Sequence, residues 1–465
     1  MNKYCTQFTA AELLTATGGK FINSAFPGAL QLATDSRKDC ADSCFIALKG
    51  ELFDAHETLD KAIAHGAACL CIEESSQARV PGDCQLPILV VPDTMKAYHA
   101  IARFHRLRFP ALQLAALTGS VGKTSVKEMI KAICLSQCDA PEQVLATEGN
   151  TNNHFGVAAN LLRLTPRHKY AVIELGTSGP DEIAPLSQMA MPQVAAINTI
   201  AACHLERLHT LAGVAHEKSA IFRYLAPNGT AVFPQKCAEV EIIAAHAKPF
   251  TTLRFGENGD VSSTYLGGNL YGSRVRLNFA KRHQTVEFDW ALSGAHQAMN
   301  AACAAAVGLA LGFTPTQIAD GLQHTTLPGM RMNVVKRGQT NWIMDAYNAN
   351  PASMQSALIW LSEFADPHHL LLVLGDMLEL GGQELAEHAA ILDSLRINFP
   401  TVPAILVGSR FQAAAGQLPA FANWHLTPNS IMAAEFAAKL VKPGYTVLVK
   451  GSRGIKLESV LPNEE

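Results

Sequence analysis

Short apolar runs alternate with stretches of helical periodicity along nearly the whole chain. That alternation predicts α/β units on mostly parallel sheets, whose buried strands read as near-continuous apolar segments. In the first third the strand candidates are Cys44–Leu48, Cys69–Glu73 and Ile88–Val91, followed by a helix around Asp93–Leu107. Phe109-Pro110 interrupts the chain before Leu112–Leu117, a short buried strand. Strands are next predicted at Ala171–Leu175, Val194–Ile200 and Thr230–Phe233, while Tyr265–Trp290 has an antiparallel, hairpin-like pattern. Beyond Pro328-Gly329, four apolar runs end in polar clusters: Trp342–Met344 into Asp345, Leu370–Leu374 into Gly375-Asp376, Ala404–Val407 into Gly408-Ser409, and Thr446–Val449 into Lys450-Gly451-Ser452-Arg453. Open α/β sheets bind ligands at the carboxyl ends of their strands, so these clusters are candidate binding loops. Three domains are expected, at residues 1–109, 110–328 and 329–465.

Composition adds mainly exclusions. The 465 residues are 48% hydrophobic, enough for a core in each domain. With 37 Lys+Arg against 40 Asp+Glu the formal charge is −3, which gives no global pull toward nucleic acid or an anionic membrane. Met1–Leu14 lacks the layout of a secretory signal, and Ala301–Phe313, broken by Gly308 and Gly312, is too short to span a bilayer. A soluble, cytoplasmic protein that is not membrane-inserted is expected. Eleven cysteines without a C-x-x-C pair then read as reduced, buried thiols.

Candidate chemistry begins at Thr118-Gly119-Ser120-Val121-Gly122-Lys123-Thr124-Ser125, between the Leu112–Leu117 strand and the helical Val126–Cys134. A strand, a glycine loop and a helix N-terminus make an anion cradle of converging backbone N–H groups. Lys123 can reach β/γ-phosphates and the Thr124 hydroxyl can ligate Mg²⁺. Leucine at 117 makes this the shorter T-G-x-x-G-K-T form of the phosphate loop. The guanine signature N-K-x-D and the dinucleotide pattern G-x-G-x-x-G are absent, which favours ATP. The loop alone leaves kinase, GTPase, ATPase and ligase open.

Further strings are spread over the chain in a fixed order. They are Thr34-Asp35-Ser36-Arg37, Phe45-Ile46-Ala47-Leu48-Lys49-Gly50-Glu51, Gly149-Asn150-Thr151-Asn152-Asn153, Ile173-Glu174-Leu175-Gly176 and His204-Leu205-Glu206. Later come Pro328-Gly329-Met330-Arg331, Asp345-Ala346-Tyr347-Asn348-Ala349-Asn350-Pro351, Leu374-Gly375-Asp376-Met377-Leu378-Glu379-Leu380-Gly381 and Lys450-Gly451-Ser452-Arg453-Gly454. With these the chain resembles the Mur ligases, which join amino acids or peptides to the UDP-linked precursor of bacterial peptidoglycan. The Asp345 and Leu374 strings resemble the type that adds D-alanyl-D-alanine to a UDP-muramoyl-tripeptide. The implied fold has an N-terminal UDP-binding α/β domain, a central P-loop ATPase domain and a C-terminal Rossmann-like domain.

The resemblance implies ADP-forming ligation: the γ-phosphoryl of ATP passes to a carboxylate, and an amine attacks the acyl phosphate. Catalysis of that kind is mostly positioning and charge neutralisation. By resemblance Lys123 neutralises the phosphates, Thr124 and Glu174 hold one Mg²⁺, and His204 helps hold a second. Lys218 lines up with the lysine this family carbamylates, and a carbamate there would complete a metal site. Taken alone, Lys218 is an exposed helix lysine, Glu174 a solvated carboxylate or cap, and His204 an ordinary polar histidine. In Gly294-Ala295-His296-Gln297-Ala298-Met299-Asn300, the resemblance gives Asn300 an adenine contact. Taken alone, that string is a polar cluster ahead of a helix over Ala301–Leu311. Arg331 and Asp345 would reach back to ATP, Ser36 and Arg37 would contact UDP, and Asn150, Asn152 and Asn153 would orient the muramoyl peptide. Asp54 and His56 are further UDP candidates that equally suit a helix cap. Asn348, Asn350, Ser452 and Arg453 would surround the dipeptide. Arg207-Leu208-His209-Thr210 departs from the glycine and phenylalanine that usually follow His204-Leu205-Glu206 in the family. A monomer is expected, with closure hinging near Pro110 and Gly329. Two other readings stay open: a sister ligase adding one amino acid (or glutamate to a folate), and a P-loop kinase or ATPase.

Overall fold

A computed structural model describes residues 6–50 and 53–463, so Glu51, the end of the Phe45 string, lies outside the described residues. Three sheets follow one another along the chain. In the first, the strands lie in the order Phe8–Thr9, Ala29–Ala33, Ser43–Ile46, Cys69–Glu73, Ile88–Val91, Lys20–Ile22, with the outermost pairs antiparallel and the rest parallel. The second has nine strands, and its parallel part runs Thr251–Phe255, Thr230–Pro234, Val194–Ile197, Gln113–Thr118, Tyr170–Glu174, Val144–Ala146. Val261–Asn269, Gly272–Phe279 and Gln284–Trp290 extend it as an antiparallel meander, as the alternation over Tyr265–Trp290 predicts. The third is parallel except for its first pair, in the order Asn333–Arg337, Thr340–Asp345, Thr446–Lys450, Leu370–Gly375, Ala404–Val407, Trp424–Thr427.

One apolar core crosses from the first sheet to the second. It joins Phe8, Leu13 and Ile101 to Val157, Ile173, Ile183 and Ala247. The helix Thr94–Leu107, capped by Asp93, carries Arg106 across that junction. The Arg106 guanidinium, 3% exposed, donates to the carbonyls of Phe109 at 2.9 Å, Ala190 at 3.2 Å and Leu112 at 3.4 Å. The segment around Pro110, expected to hinge, is thus stapled to the second sheet.

The other face of the second sheet packs under the helix Ala295–Ala310. This helix starts six residues before the predicted Ala301, since the apolar run marks only its sheet-facing part. Its first turns stay polar where they project toward the cleft described below, so His296, Gln297 and Asn300 lie within the helix rather than ahead of it. Among the described residues no helix is long and apolar enough to cross a membrane.

Candidate active site

The phosphate loop leaves the strand Gln113–Thr118 and enters the helix Lys123–Leu135 through Gly122, whose φ is 78°. A Cβ at Gly122 would meet the Asn300 amide at 2.7 Å, and one at Gly119 would collide with the Asn198 amide. Both glycines are therefore required by close approach, and Gly122 by its positive φ as well. Asn198, 3% exposed, donates through its Nδ2 to the Val121 carbonyl, and the Thr199 hydroxyl joins it at 3.1 Å. Ser120 donates to the Ala201 carbonyl at 3.0 Å and accepts the Ala201 N–H at 2.9 Å. The loop is thus stitched to the end of the strand Val194–Ile197. Lys123 curls over it, its ammonium donating to the Gly119 carbonyl at 2.8 Å.

Glu174 ends the neighbouring strand, 3% exposed, at the floor of the cleft. Its Oε2 accepts the Thr124 hydroxyl at 2.9 Å and its Oε1 the Asn152 amide at 2.8 Å. Its backbone N–H donates to the Thr147 hydroxyl at 2.9 Å. Two adjacent oxygen donors from a hydroxyl and a carboxylate suit a hard cation such as Mg²⁺.

Lys218 is not the exposed helix lysine that its local sequence suggests: it is 1% exposed. The helix Leu211–Ser219 turns its last turn inward, where Glu217 accepts the N–H groups of Asp181, Glu182 and Ile183. Burial, with a smaller push from the Lys123 ammonium, brings the Lys218 amine down to a pKa of about 8. No hydrogen bond or ion pair holds it among the described residues.

His204 sits at φ 52°, ahead of the short helix Leu205–Leu208, with Nδ1 at 2.6 Å from Glu379 Oε2. Glu379 belongs to the third sheet's loops, and the His204 hydrogen bond holds its carboxyl below the ordinary range. Arg207 folds over Gly179 toward Ser178 and Glu182, at 3.3 and 3.5 Å.

A cleft of 860 Å³ opens between the second and third sheets. Ser120–Ser125, Asn150, Asn152, Asn153, Glu174, His204 and Asn300 line one side, while Arg331, Asp345, Asn348, Asn350, Glu379 and Arg453 face them. The Arg331 guanidinium stacks 3.6 Å from the centre of the Tyr347 ring. Asp345 binds the buried Lys450 ammonium at 2.5 Å and accepts the Met332 N–H at 3.2 Å. Asn300 donates to Gln297 at 3.1 Å, and burial presses the nearby His296 to a pKa of about 4, which leaves it neutral. Asn153 and Asn350 also cap the helices His154–Leu161 and Pro351–Ser362.

Five predicted residues, Gly119, Lys218, Ser452, Ser36 and Arg37, stand apart from the cleft lining, as do the further candidates Asp54 and His56. Lys218 lies in the interior, as described. Ser452, 3% exposed, accepts the Leu378 N–H at 3.0 Å and donates to the Ala349 carbonyl at 3.3 Å, bracing two cleft loops. Ser36 and Arg37 follow the strand Ala29–Ala33 in the first sheet. Ser36 is buried against Thr58, while exposed Arg37 forks onto Asp35 at 2.8 and 3.0 Å. Asp54 and His56 form a turn-bracing pair at 2.6 Å, completed by Arg79 and the Glu73 N–H.

Sequence reasoning passed over Asn198, Thr147 and Glu379 as site residues. Asn198 was signalled only by a polar residue closing an apolar run, and Glu379 only by the string that contains it.

Comparison with known proteins places this geometry. The model of the Mur ligase middle domain matches residues 117–308, and that of the Mur ligase glutamate ligase domain matches residues 330–453. The chain is 36% identical over 440 residues to the UDP-N-acetylmuramoyl-tripeptide–D-alanyl-D-alanine ligase of Escherichia coli, covering 92% of each chain. It is 34% identical over 466 residues to the enzyme of that name from Haemophilus influenzae, covering 98% of each. The crystal structure of MurF from Acinetobacter baumannii superposes with a TM-score of 0.90 at 31% identity, covering 98% of both chains. The MurF ligase of Thermotoga maritima, solved in complex with ADP, shares the fold at a TM-score of 0.81 and 23% identity, covering 92% of this chain and 95% of that one. Matched over nearly its whole length in sequence and in fold, the chain belongs to the Mur ligase family.

Proposed function

We propose that this chain is an ATP-dependent, ADP-forming ligase that joins D-alanyl-D-alanine to UDP-N-acetylmuramoyl-tripeptide, giving the UDP-muramoyl-pentapeptide of peptidoglycan synthesis. The observation that carries the reading is a single cleft in which a phosphate loop faces the strand-end loops of a second α/β sheet, with asparagines on both sides. Full-length similarity to ligases of this name favours it over a sister ligase adding one amino acid.

In this reading Gly119–Ser125 cradles the phosphates of ATP, while Asn300, Arg331 and Asp345 hold the rest of the nucleotide. Thr124 and Glu174 would hold one Mg²⁺, and His204 with a carbamylated Lys218 a second; bound there, the cations offset phosphate charge. Lys123 balances the negative charge of the γ-phosphoryl group as it moves to the tripeptide carboxylate. Asn150, Asn152 and Asn153 orient that carboxylate. The dipeptide amine, held near Asn348, Asn350 and Arg453, attacks the acyl carbon and phosphate leaves; Ser452 supports these loops from behind. Ser36 and Arg37 meet the UDP end, since an arginine fork suits a diphosphate. The working units are residues 1–109 for UDP, 110–328 for ATP and 329–465 for the dipeptide, in a cytoplasmic monomer.

Carbamylation needs a neutral amine: the Lys218 nitrogen bonds to CO₂ and releases a proton. An amine with a pKa of about 8 is neutral in roughly one molecule in ten at pH 7, far more than an ordinary lysine. Activity should fall in CO₂-free buffer and return with bicarbonate. Activity unchanged both there and in Lys218→Ala would refute the modification.

The deciding experiment measures phosphate release from ATP with UDP-muramoyl-tripeptide, with and without D-alanyl-D-alanine, and weighs the products. Phosphate that needs both substrates, with a pentapeptide product, is expected. A product carrying one added residue would move the chain to a sister ligase. Acceptor-independent release would make it a plain ATPase.

A further inference from the structure

The helix that follows the phosphate loop carries a second lysine whose surroundings differ from those of Lys123. Lys127, one turn further along, is 2% exposed. A buried ammonium is costly unless it is paired and hydrogen-bonded, and here both conditions are met. Its Nζ donates to the Thr147 carbonyl at 2.8 Å and lies 2.6 Å from the Glu128 carboxylate. The second Glu128 oxygen is 3.4 Å from Lys131, so one carboxylate is shared by two lysines, and Lys127 is paired without any group of the cleft.

The acceptor of that bond matters most. Thr147 directly follows Val144–Ala146, a three-residue strand at the edge of the nine-stranded sheet. An edge strand this short is held from one side only, by its pairing to Tyr170–Val172 and the bond from the Thr147 N–H to the Val172 carbonyl at 3.0 Å. The Thr147 hydroxyl accepts the Glu174 N–H at 2.9 Å, and the Glu174 carboxylate accepts the Thr124 hydroxyl at 2.9 Å. A closed circuit results: helix to Thr147, Thr147 to Glu174, Glu174 back to the same helix. Three residues past Thr147 begins the Asn150–Asn153 segment, and Asn152 binds the other Glu174 oxygen.

We infer that Lys127 is a positioning residue that fixes the Glu174 carboxylate for a nucleotide-bound divalent cation by clamping Thr147 to the phosphate-loop helix. The inference rests on the nucleotide and Mg²⁺ assignments proposed above. Lys127 touches no reacting atom. Its loss leaves Lys123 and the phosphate cradle in place but lets the edge strand, the Glu174 backbone and the asparagine segment drift from the helix. Partners standing one shell behind a metal ligand typically change metal affinity by about ten- to a hundredfold.

The test is calorimetric titration of ADP, with and without Mg²⁺, into the full chain, Lys127→Met, Thr147→Val and the double variant. ADP affinity without metal should stay unchanged, while the gain on adding Mg²⁺ falls about tenfold in each single variant. The double variant should be no worse than the weaker single one, because both changes break one circuit. Thr147→Val keeps the side-chain shape and carries the test if Lys127→Met does not fold. Variants that bind Mg²⁺ and ADP as tightly as the unaltered chain would overturn the inference, as would equal losses with and without metal. Unaltered protein that gains nothing from Mg²⁺ would instead bring down the metal assignment itself, and this inference with it.

Discussion

At the scale of single residues, Glu174 ties the cleft floor together, its carboxylate accepting from both Thr124 and Asn152. Glu174→Gln preserves shape and two hydrogen-bonding sites but removes the charge that would face a cation. Steady-state kinetics should show kcat reduced by about 10²- to 10³-fold with the melting temperature nearly unchanged. Lys218 makes a second, pH-dependent prediction. Its amine has a pKa of about 8 in the folded chain against an ordinary 10.5, so between these values the unfolded chain binds more protons. The buried ammonium therefore penalises folding in full below pH 8, and the penalty fades as pH rises toward 10.5. In CO₂-free buffer, Lys218→Met should raise the melting temperature at neutral pH, with the gain shrinking steadily up to pH 10; a pH-independent gain would contradict this. Lys123 and Thr124 were legible because their loop chemistry is local. The burial of Lys218 was not, because it depends on where the last turn of a nine-residue helix meets the rest of the fold. Asn198 and Thr147 act through neighbours distant in sequence, which no spacing rule encodes.

Elements were legible in proportion to their apolar length. Cys69–Glu73 and Ile88–Val91 fall where continuous apolar runs place buried parallel strands. The strand expected over Val194–Ile200 ends at Ile197; the Asn198 N–H still bonds the Thr118 carbonyl at 3.0 Å, while its side chain braces the phosphate loop. Phe8–Thr9, Lys20–Ile22 and Val144–Ala146 were not foreseen, since two or three residues hold no period to read. Caps join elements to the site. Asn350 accepts the Ser353 N–H at 2.9 Å at the start of Pro351–Ser362, while also facing the cleft. Asn350→Ala should cost about 1 kcal/mol in denaturant unfolding. Asn350→Asp keeps the cap, so it should retain stability while weakening dipeptide saturation through a misplaced charge. Equal stability losses in both variants would assign Asn350 to capping alone.

The whole molecule divides unevenly. The first two sheets share a core and are stapled at Arg106, whereas the third meets the second across an open cleft. Closure around substrates should therefore carry the third unit toward a fixed pair, turning near Gly329, where φ is 67°, rather than near Pro110. Small-angle scattering with an ATP analogue and UDP-muramoyl-tripeptide should show compaction, and Arg331-side labels should move relative to the phosphate loop while labels on Thr94–Leu107 do not. An unchanged profile would count against closure. The shared core has one more consequence, for synthesis on the ribosome. The helices Ala10–Thr17 and Thr94–Leu107 emerge early, yet later partners of their shared core, among them Val157 and Ile183, are translated well afterwards. A nascent chain halted soon after Pro110 thus carries a bare apolar flank into solution, a natural client surface for chaperones and a focus for aggregation of truncated products.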